Sequence, residues 1–228
     1  MRGAWRALVA EFIGTFALCF IGAGAICTNE WSGGGVGLLG IAIAHGAVLG
    51  IMISALGHIS GGHFNPAVTL GLLTADKIEA KKALSYIVAQ LAGATVGAML
   101  LRFIFPEPVW QAVHLGTPAL GAGMMTLEAT ILEAVLTFFL VLTVFGTAVD
   151  PKGSWNAIAG FGIGGVLVFD ILVGGPLTGA SMNPARSFGP ALASGYWEHH
   201  LVYWMGPILG GAVAGLVYHY GFLDSKKR

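Results

Sequence analysis

Six apolar stretches run along the chain at roughly 5–27, 38–58, 81–104, 127–149, 156–174 and 201–222. Each is long enough to cross the ~30 Å hydrocarbon core of a bilayer. Two shorter apolar segments, 65–74 and 183–193, follow the second and fifth stretches and are too short to span. They read as half-helices that dip into the membrane and return. The pattern therefore predicts an all-α membrane protein with six transmembrane helices plus two re-entrant half-helices. The first stretch follows two arginines and could imitate a signal peptide. It continues through Ile26 and Cys27 with only a weak cleavage site at Ala23 to Ala25, so it reads as a retained first helix.

The pattern repeats. Asn65-Pro66-Ala67 recurs as Asn183-Pro184-Ala185, 118 positions later, and Gly93 and Gly97 recur at the same spacing as Gly211 and Gly215. Glu11 in "AEFIGTF" is echoed by Glu133 in "LEAVLTF". Each half holds three spans and one short segment. Three is odd, so the second half enters from the opposite face and the repeats are inverted. The expected organisation is a single membrane channel domain, 1–228, with inverted repeats at about 1–105 and 126–223 joined by an extracellular loop, 106–125.

Composition agrees with this picture and narrows it. Hydrophobic residues make up 56% of the chain and charged residues 10%, with a mean hydropathy of +0.80, so most of the surface must face lipid. Zero net charge argues against a nucleic-acid partner. With both termini in the cytoplasm, Arg2, Arg6, Lys77, Lys81, Lys82, Lys152, Lys226, Lys227 and Arg228 all lie on that side, leaving only Arg102 and Arg186 elsewhere. That is the positive-inside bias. Short termini point to the cell (plasma) membrane. Cys19 and Cys27 share one helix about 12 Å apart, too far to bridge.

The short segments carry the chemistry. Asparagine is a good N-cap and proline suits the first helical position, so helices should start at Asn65 and Asn183. Two such starts meeting near the midplane would line a cavity with two positive poles, each worth about half an elementary charge. Cations and protons would be repelled there, while neutral hydrogen-bonding molecules pass.

The segments "SGGHFNPAVTLG" (60–71) and "SMNPARSFGPA" (181–191) resemble the signature loops of the aquaporin (major intrinsic protein) family, and the resemblance extends over nearly the whole chain. It implies an hourglass fold, a pore in every chain and a homotetramer, with no cofactor. Asn65, Pro66, Ala67, Asn183, Pro184 and Ala185 would form the centre of the pore. Backbone carbonyls of Gly61, Gly62, His63 and Phe64, and of Gly179, Ala180, Ser181 and Met182, would accept hydrogen bonds from the permeating file. Counting back from the asparagines, the filter positions are His45, Ile171, Ala180 and Arg186. Histidine on the second helix and isoleucine on the fifth resemble the plant tonoplast group and the ammonia-permeable animal branch, as does "DILVGGPLTGASMNPA" (170–185). An aliphatic and a methyl in place of two hydrogen-bonding walls predict water plus ammonia, with hydrogen peroxide as a further solute. Glycerol facilitators of the same family usually carry an acid and a base where Ser187 and Ala191 stand and tend to lack the pair Tyr203-Trp204, so these features resemble the water-type branch and leave a glycerol or small-polyol facilitator as the alternative.

Other polar residues have blander readings. Arg186 sits where the helix pole disfavours a cation; Asp170 would be its structural partner if it had one. Glu11 and Glu133 are expected to accept hydrogen bonds from the loop backbones rather than relay protons. His58 and His63 have no neighbouring ligands, so no metal site is expected; His63 should line the cytoplasmic half of the pore and His58 should be packed. His114 reads as a solvated loop residue. "GVGLLG" at 35–40 opens a membrane helix with no strand before it, so it is not a dinucleotide fingerprint. No nucleophile–base constellation appears and the chain is not expected to be an enzyme. An alternating-access transporter would need a coupling site at the midplane, and a closed junction protein would show no flux. The expected partners are water, small neutral solutes and the lipid bilayer.

Overall fold

The computed structural model describes residues 2–153 and 158–223. Lys226, Lys227, Arg228 and the start of the fifth apolar stretch at 156–157 lie outside the described residues. Within them the chain is helical without strands: α1 (Arg2–Trp31), α2 (Gly37–Ser60), α3 (Pro66–Thr74), α4 (Ala80–Ile104), α5 (Glu107–Ala112), α6 (Thr126–Val144), α7 (Ala159–Thr178), α8 (Pro184–Ser194) and α9 (Val202–Gly221). α3 and α8 are the two half-helices, with 9 and 11 residues. The other long helices are the six spans.

Five of those spans are long and apolar enough to cross a membrane by composition alone. α9 is the sixth. Its 20 residues reach about 30 Å, but Tyr203, Trp204, Pro207, Tyr218 and His219 dilute its hydropathy. The segment 106–125, expected as a plain loop, contains α5 and a 3₁₀ turn at His114–Gly116. Arg102 packs its guanidinium over the Trp110 ring, 4.8 Å from the centroid, which ties α5 back to α4.

The two halves repeat one packing scheme. α1 lies along α4 and α6 along α9, while α2 and α7 meet at the junction of the halves. The half-helices cross over: α8 packs on α4 and α3 on α9. At the α2–α7 junction, a Cβ at Gly46 or Gly164 would fall 2.4 Å from the other's carbonyl oxygen, so these backbones touch directly. Small residues replace a hydrophobic driving force that lipid cannot supply.

The repeat register differs from the one that the glycines suggest. Gly93 abuts the Phe12 carbonyl on α1, whereas Gly211 abuts the Ala67 carbonyl on α3. The residue that does for α6 what Gly93 does for α1 is Gly210, against the Ala134 carbonyl. The third helices of the halves therefore correspond at a spacing of 117, although the half-helices correspond at 118. The match of Gly93 and Gly97 to Gly211 and Gly215 is a coincidence of a glycine-rich helix.

Candidate functional site

Both half-helices start as the sequence requires. The Asn65 side-chain oxygen accepts from the Ala67 N–H at 2.8 Å, and that of Asn183 from the N–H groups of Ala185 and Arg186 at 3.0 and 3.2 Å. The two starts are held against each other. Asn65 Nδ2 donates to the Met182 carbonyl at 2.8 Å and Asn183 Nδ2 to the Phe64 carbonyl at 2.9 Å. Each amide has a second hydrogen left for the cavity that both asparagines line. Two positive helix poles thus face one interior space.

The loops leading into these starts are strained in the same way. Gly61 and Gly179 close α2 and α7 in the left-handed region, at φ 102° and 80°. Phe64 and Met182 are left-handed at 48° and 52°, as is Ala180 at 42° where the first loop has Gly62. A left-handed non-glycine residue costs roughly 1–2 kcal/mol. Two buried carboxylates supply the compensation. Glu11 accepts from the Ser60 hydroxyl (2.7 Å), the N–H groups of His63 (3.0 Å) and Phe64 (2.7 Å), and the Gln90 amide (2.8 Å). Glu133 accepts from the Thr178 hydroxyl (2.7 Å) and the N–H groups of Ser181 (2.9 Å) and Met182 (2.8 Å). Tyr86 donates to the Ser60 carbonyl and Tyr203 to the Thr178 carbonyl, repeating the support once more.

This network decides where the carbonyls point. All peptides among the described residues are trans, so a C=O opposes the N–H of the following residue. With the N–H groups of His63 and Phe64 aimed at Glu11, the carbonyls of Gly62 and His63 turn away from it. The carbonyls of Ala180 and Ser181 turn away from Glu133 by the same rule. Those of Phe64 and Met182 differ: each takes an asparagine amide, and neither residue lines the cavity. Gly62, His63 and Ser181 do line it, together with Leu18, Leu49, Ile53, Val68, Leu140, Val144, Ile163 and Leu167. One wall is polar and the rest is aliphatic.

The four filter positions also come together. His45, Ile171 and Arg186 line both this cavity and a second one above it, so they form the neck between the two; Ala180 lies on the inner side and Gly179 on the outer. His45 Nδ1 sits 2.9 Å from the Ile41 carbonyl, which can only accept, so Nδ1 carries the hydrogen and Nε2 is bare. That Nε2 is 3.5 Å from Arg186 Nη2. Arg186 Nη1 donates to the Gly116 carbonyl at 2.8 Å, and its Nε has no hydrogen-bond partner among the described residues. Asp170 is not the partner of Arg186. Both its carboxylate oxygens are buried without a hydrogen bond among the described residues.

Several residues at the site carry no motif and escape a sequence reading. Gln90 and Tyr86 support the first loop beside Thr69 of the 60–71 segment, and the trace they leave in the sequence is a polar residue inside an apolar span. Gly116 holds Arg186 through a backbone carbonyl, which no sequence pattern reports. Gly22 gives the His45 ring its space: a Cβ there would lie 2.4 Å from the ring. Gly22→Ala should push His45 into the neck and lower water permeability about tenfold, or ~1.4 kcal/mol on the barrier; stopped-flow light scattering on folded protein checks this, and unchanged flux would contradict the geometry. One expectation for the other histidines needs correcting and one holds. His58 is exposed rather than packed, because it faces outward on the last turn of α2. His114 is exposed but stacked on Tyr196 with ring centroids 3.9 Å apart. On the same rim Trp204 donates to His200 Nε2 at 3.0 Å, and burial pushes the His200 pKa down. Cys19 and Cys27 are free and buried.

Comparison with known proteins agrees with the geometry. The family model described as Major intrinsic protein matches residues 2–218. The chain is similar to "Aquaporin TIP4-4" of Zea mays, 48% identical over 224 residues that cover 95% of this chain and 86% of the relative. It is 46% identical to "Probable aquaporin TIP2-1" of Oryza sativa subsp. japonica, covering 96% and 89%. Among solved structures, the aquaglyceroporin from Plasmodium falciparum shares the fold, with a TM-score of 0.85 at 23% identity over 96% of each chain.

Proposed function

Since the chain belongs to the major intrinsic protein family, whose aquaporins are membrane channels and not enzymes, we propose that the cavity between its two half-helices is a path for water and for ammonia. Hydrogen peroxide is a further solute of the same size and polarity. The observation that carries this reading is the paired asparagine arrangement, with an aliphatic wall opposite a ladder of acceptors. A file of small neutral molecules finds donors at Asn65 and Asn183 and acceptors at Gly62, His63, Ala180 and Ser181. A cation meets two helix poles and Arg186.

His45, Ile171, Ala180 and Arg186 act in this proposal as the selectivity filter. The bare Nε2 of His45, which Arg186 Nη2 approaches only to 3.5 Å, accepts from a solute that comes between them, Arg186 donates to that solute, and Ile171 with Ala180 leaves the other two walls undemanding. Ammonia donates and accepts at once, so both polar walls serve it. The chain works as one channel unit, its repeats at about 1–105 and 126–223 joined by an outer segment 106–125, with both termini cytoplasmic and four copies assembling in the bilayer. The protein is an integral, multi-pass membrane protein. Its TIP-type relatives favour an internal membrane of the tonoplast kind and do not support the cell membrane expected above.

Proteoliposomes test the reading. Stopped-flow osmotic shrinkage should be at least tenfold faster than in empty vesicles, and an ammonia gradient should alkalinise the lumen faster than the lipid background. Glycerol uptake should stay near that background. Fast water flux without ammonia-driven alkalinisation would overturn the ammonia assignment, and rapid glycerol flux would favour a polyol facilitator.

A further inference from the structure

Among the described residues, His63 and His45 are the histidines that line the cavity, His45 at the neck, and the residues behind His63 are arranged unlike their counterparts in the other repeat. The His63 Nδ1 lies 3.0 Å from Thr69 Oγ1. That hydroxyl is 3.0 Å from the Asn65 carbonyl, to which it can only donate, and 3.0 Å from Gln90 Nε2, from which it can only accept. Thr69 has a single hydrogen. With that hydrogen on the Asn65 carbonyl, His63 Nδ1 must be the donor to Thr69. The ring then keeps its hydrogen on the protein side and turns a bare Nε2 to the space it lines.

We infer that Thr69 and Gln90 are positioning residues that hold His63 in its Nδ1–H form, so that the inner half of the pore presents a bare imidazole nitrogen as an acceptor; this rests on reading the cavity as the solute path. The other repeat shows the arrangement to be particular to this side. Ser181 and Ser187 stand where His63 and Thr69 do and bond to each other. Pro207 occupies the place of Gln90 in the 117-spaced register, so the Gln90 amide has no counterpart there. The histidine and the amide that restrains it occur together in one half and are both missing from the other. His45, at the neck, is held in the same tautomer by the Ile41 carbonyl. A permeating molecule thus meets an imidazole acceptor on either side of the two asparagine donors, and the file is offered acceptor, donor and acceptor in turn.

Solid-state ¹⁵N NMR of histidine-labelled protein in bilayers reads the tautomer directly, with the His63 signals identified by their loss in His63→Asn. Wild type should show protonated Nδ1 and unprotonated Nε2. Thr69→Val, which keeps the volume and removes the acceptor, should bring up an Nε2–H signal and slow water permeation about fivefold, the worth of one hydrogen bond. Thr69→Ser should restore both. Nε2–H in wild type, or a tautomer unmoved by Thr69→Val, would overturn the inference. Wild-type vesicles that pass no more water than empty ones would sink the pore reading instead, and would leave the tautomer result intact.

Discussion

Glu11→Leu is expected to yield almost no folded protein, measured as the monodisperse fraction after detergent extraction. The substitution orphans the Ser60 hydroxyl, the N–H groups of His63 and Phe64, and one bond of the Gln90 amide. A buried donor without a partner costs about 1–3 kcal/mol. Four of them rival the whole stability of a domain, typically about 5–15 kcal/mol. The strain at Phe64 would also go uncompensated. Glu133→Leu orphans the Ser181 and Met182 N–H groups, while the Thr178 hydroxyl can fall back on the Gly174 carbonyl, so it should be the milder lesion. Glu11→Gln keeps one acceptor oxygen and turns the other into a donor facing donors, so it should fall between. A Glu11→Leu protein as stable and as permeable as wild type would show that the loops hold their shape unaided.

The same network shows what the sequence could and could not tell. Two glutamates in apolar spans, matched across a repeat, pointed to buried partners, and the loop N–H groups were the natural candidates. The half-helix starts were legible because an N-cap and a first-turn proline are local facts. Gln90 and Tyr86 were not, since their roles depend on which face of α4 meets the first loop. The one-residue change of register between α4 and α9 hides that face from any fixed repeat spacing. Tyr86 and Tyr203 lie 117 positions apart and perform the same task, which a search at 118 passes over. The neck has a similar mixture. His45 and Arg186 follow from counting along the loops, but Gly116 and Gly22 act through a carbonyl and an absent side chain. Asp170 was a fair candidate for Arg186 by charge alone, but it lines neither cavity at the neck and bonds to nothing among the described residues.

Arg186→Ala is expected to raise proton and cation leak by about two orders of magnitude, while water permeability stays within a few-fold of wild type. Arg186 is nearly fully buried, at 3% exposure, and its guanidinium meets the Gly116 carbonyl and His45 rather than bonding to a carboxylate among the described residues. A unit charge about 5 Å away in surroundings of effective dielectric constant about 20 contributes on the order of 3 kcal/mol, or about a hundredfold, against a passing cation. Water feels no such term and still has Asn65 and Asn183 to order it. The half-helix poles remain, so exclusion weakens without vanishing. The arginine also anchors the segment over the neck through the Gly116 carbonyl, beside three successive left-handed residues, His114, Leu115 and Gly116. Arg186→Lys separates the two roles. It keeps the charge but not the planar fork, so leak should stay low while the neck loosens and glycerol uptake rises. Leak measured with a lumenal pH dye under a clamped potential, beside stopped-flow water flux, gives both readings on one preparation. An Arg186→Ala channel as proton-tight as wild type would place cation exclusion wholly on the two helix starts.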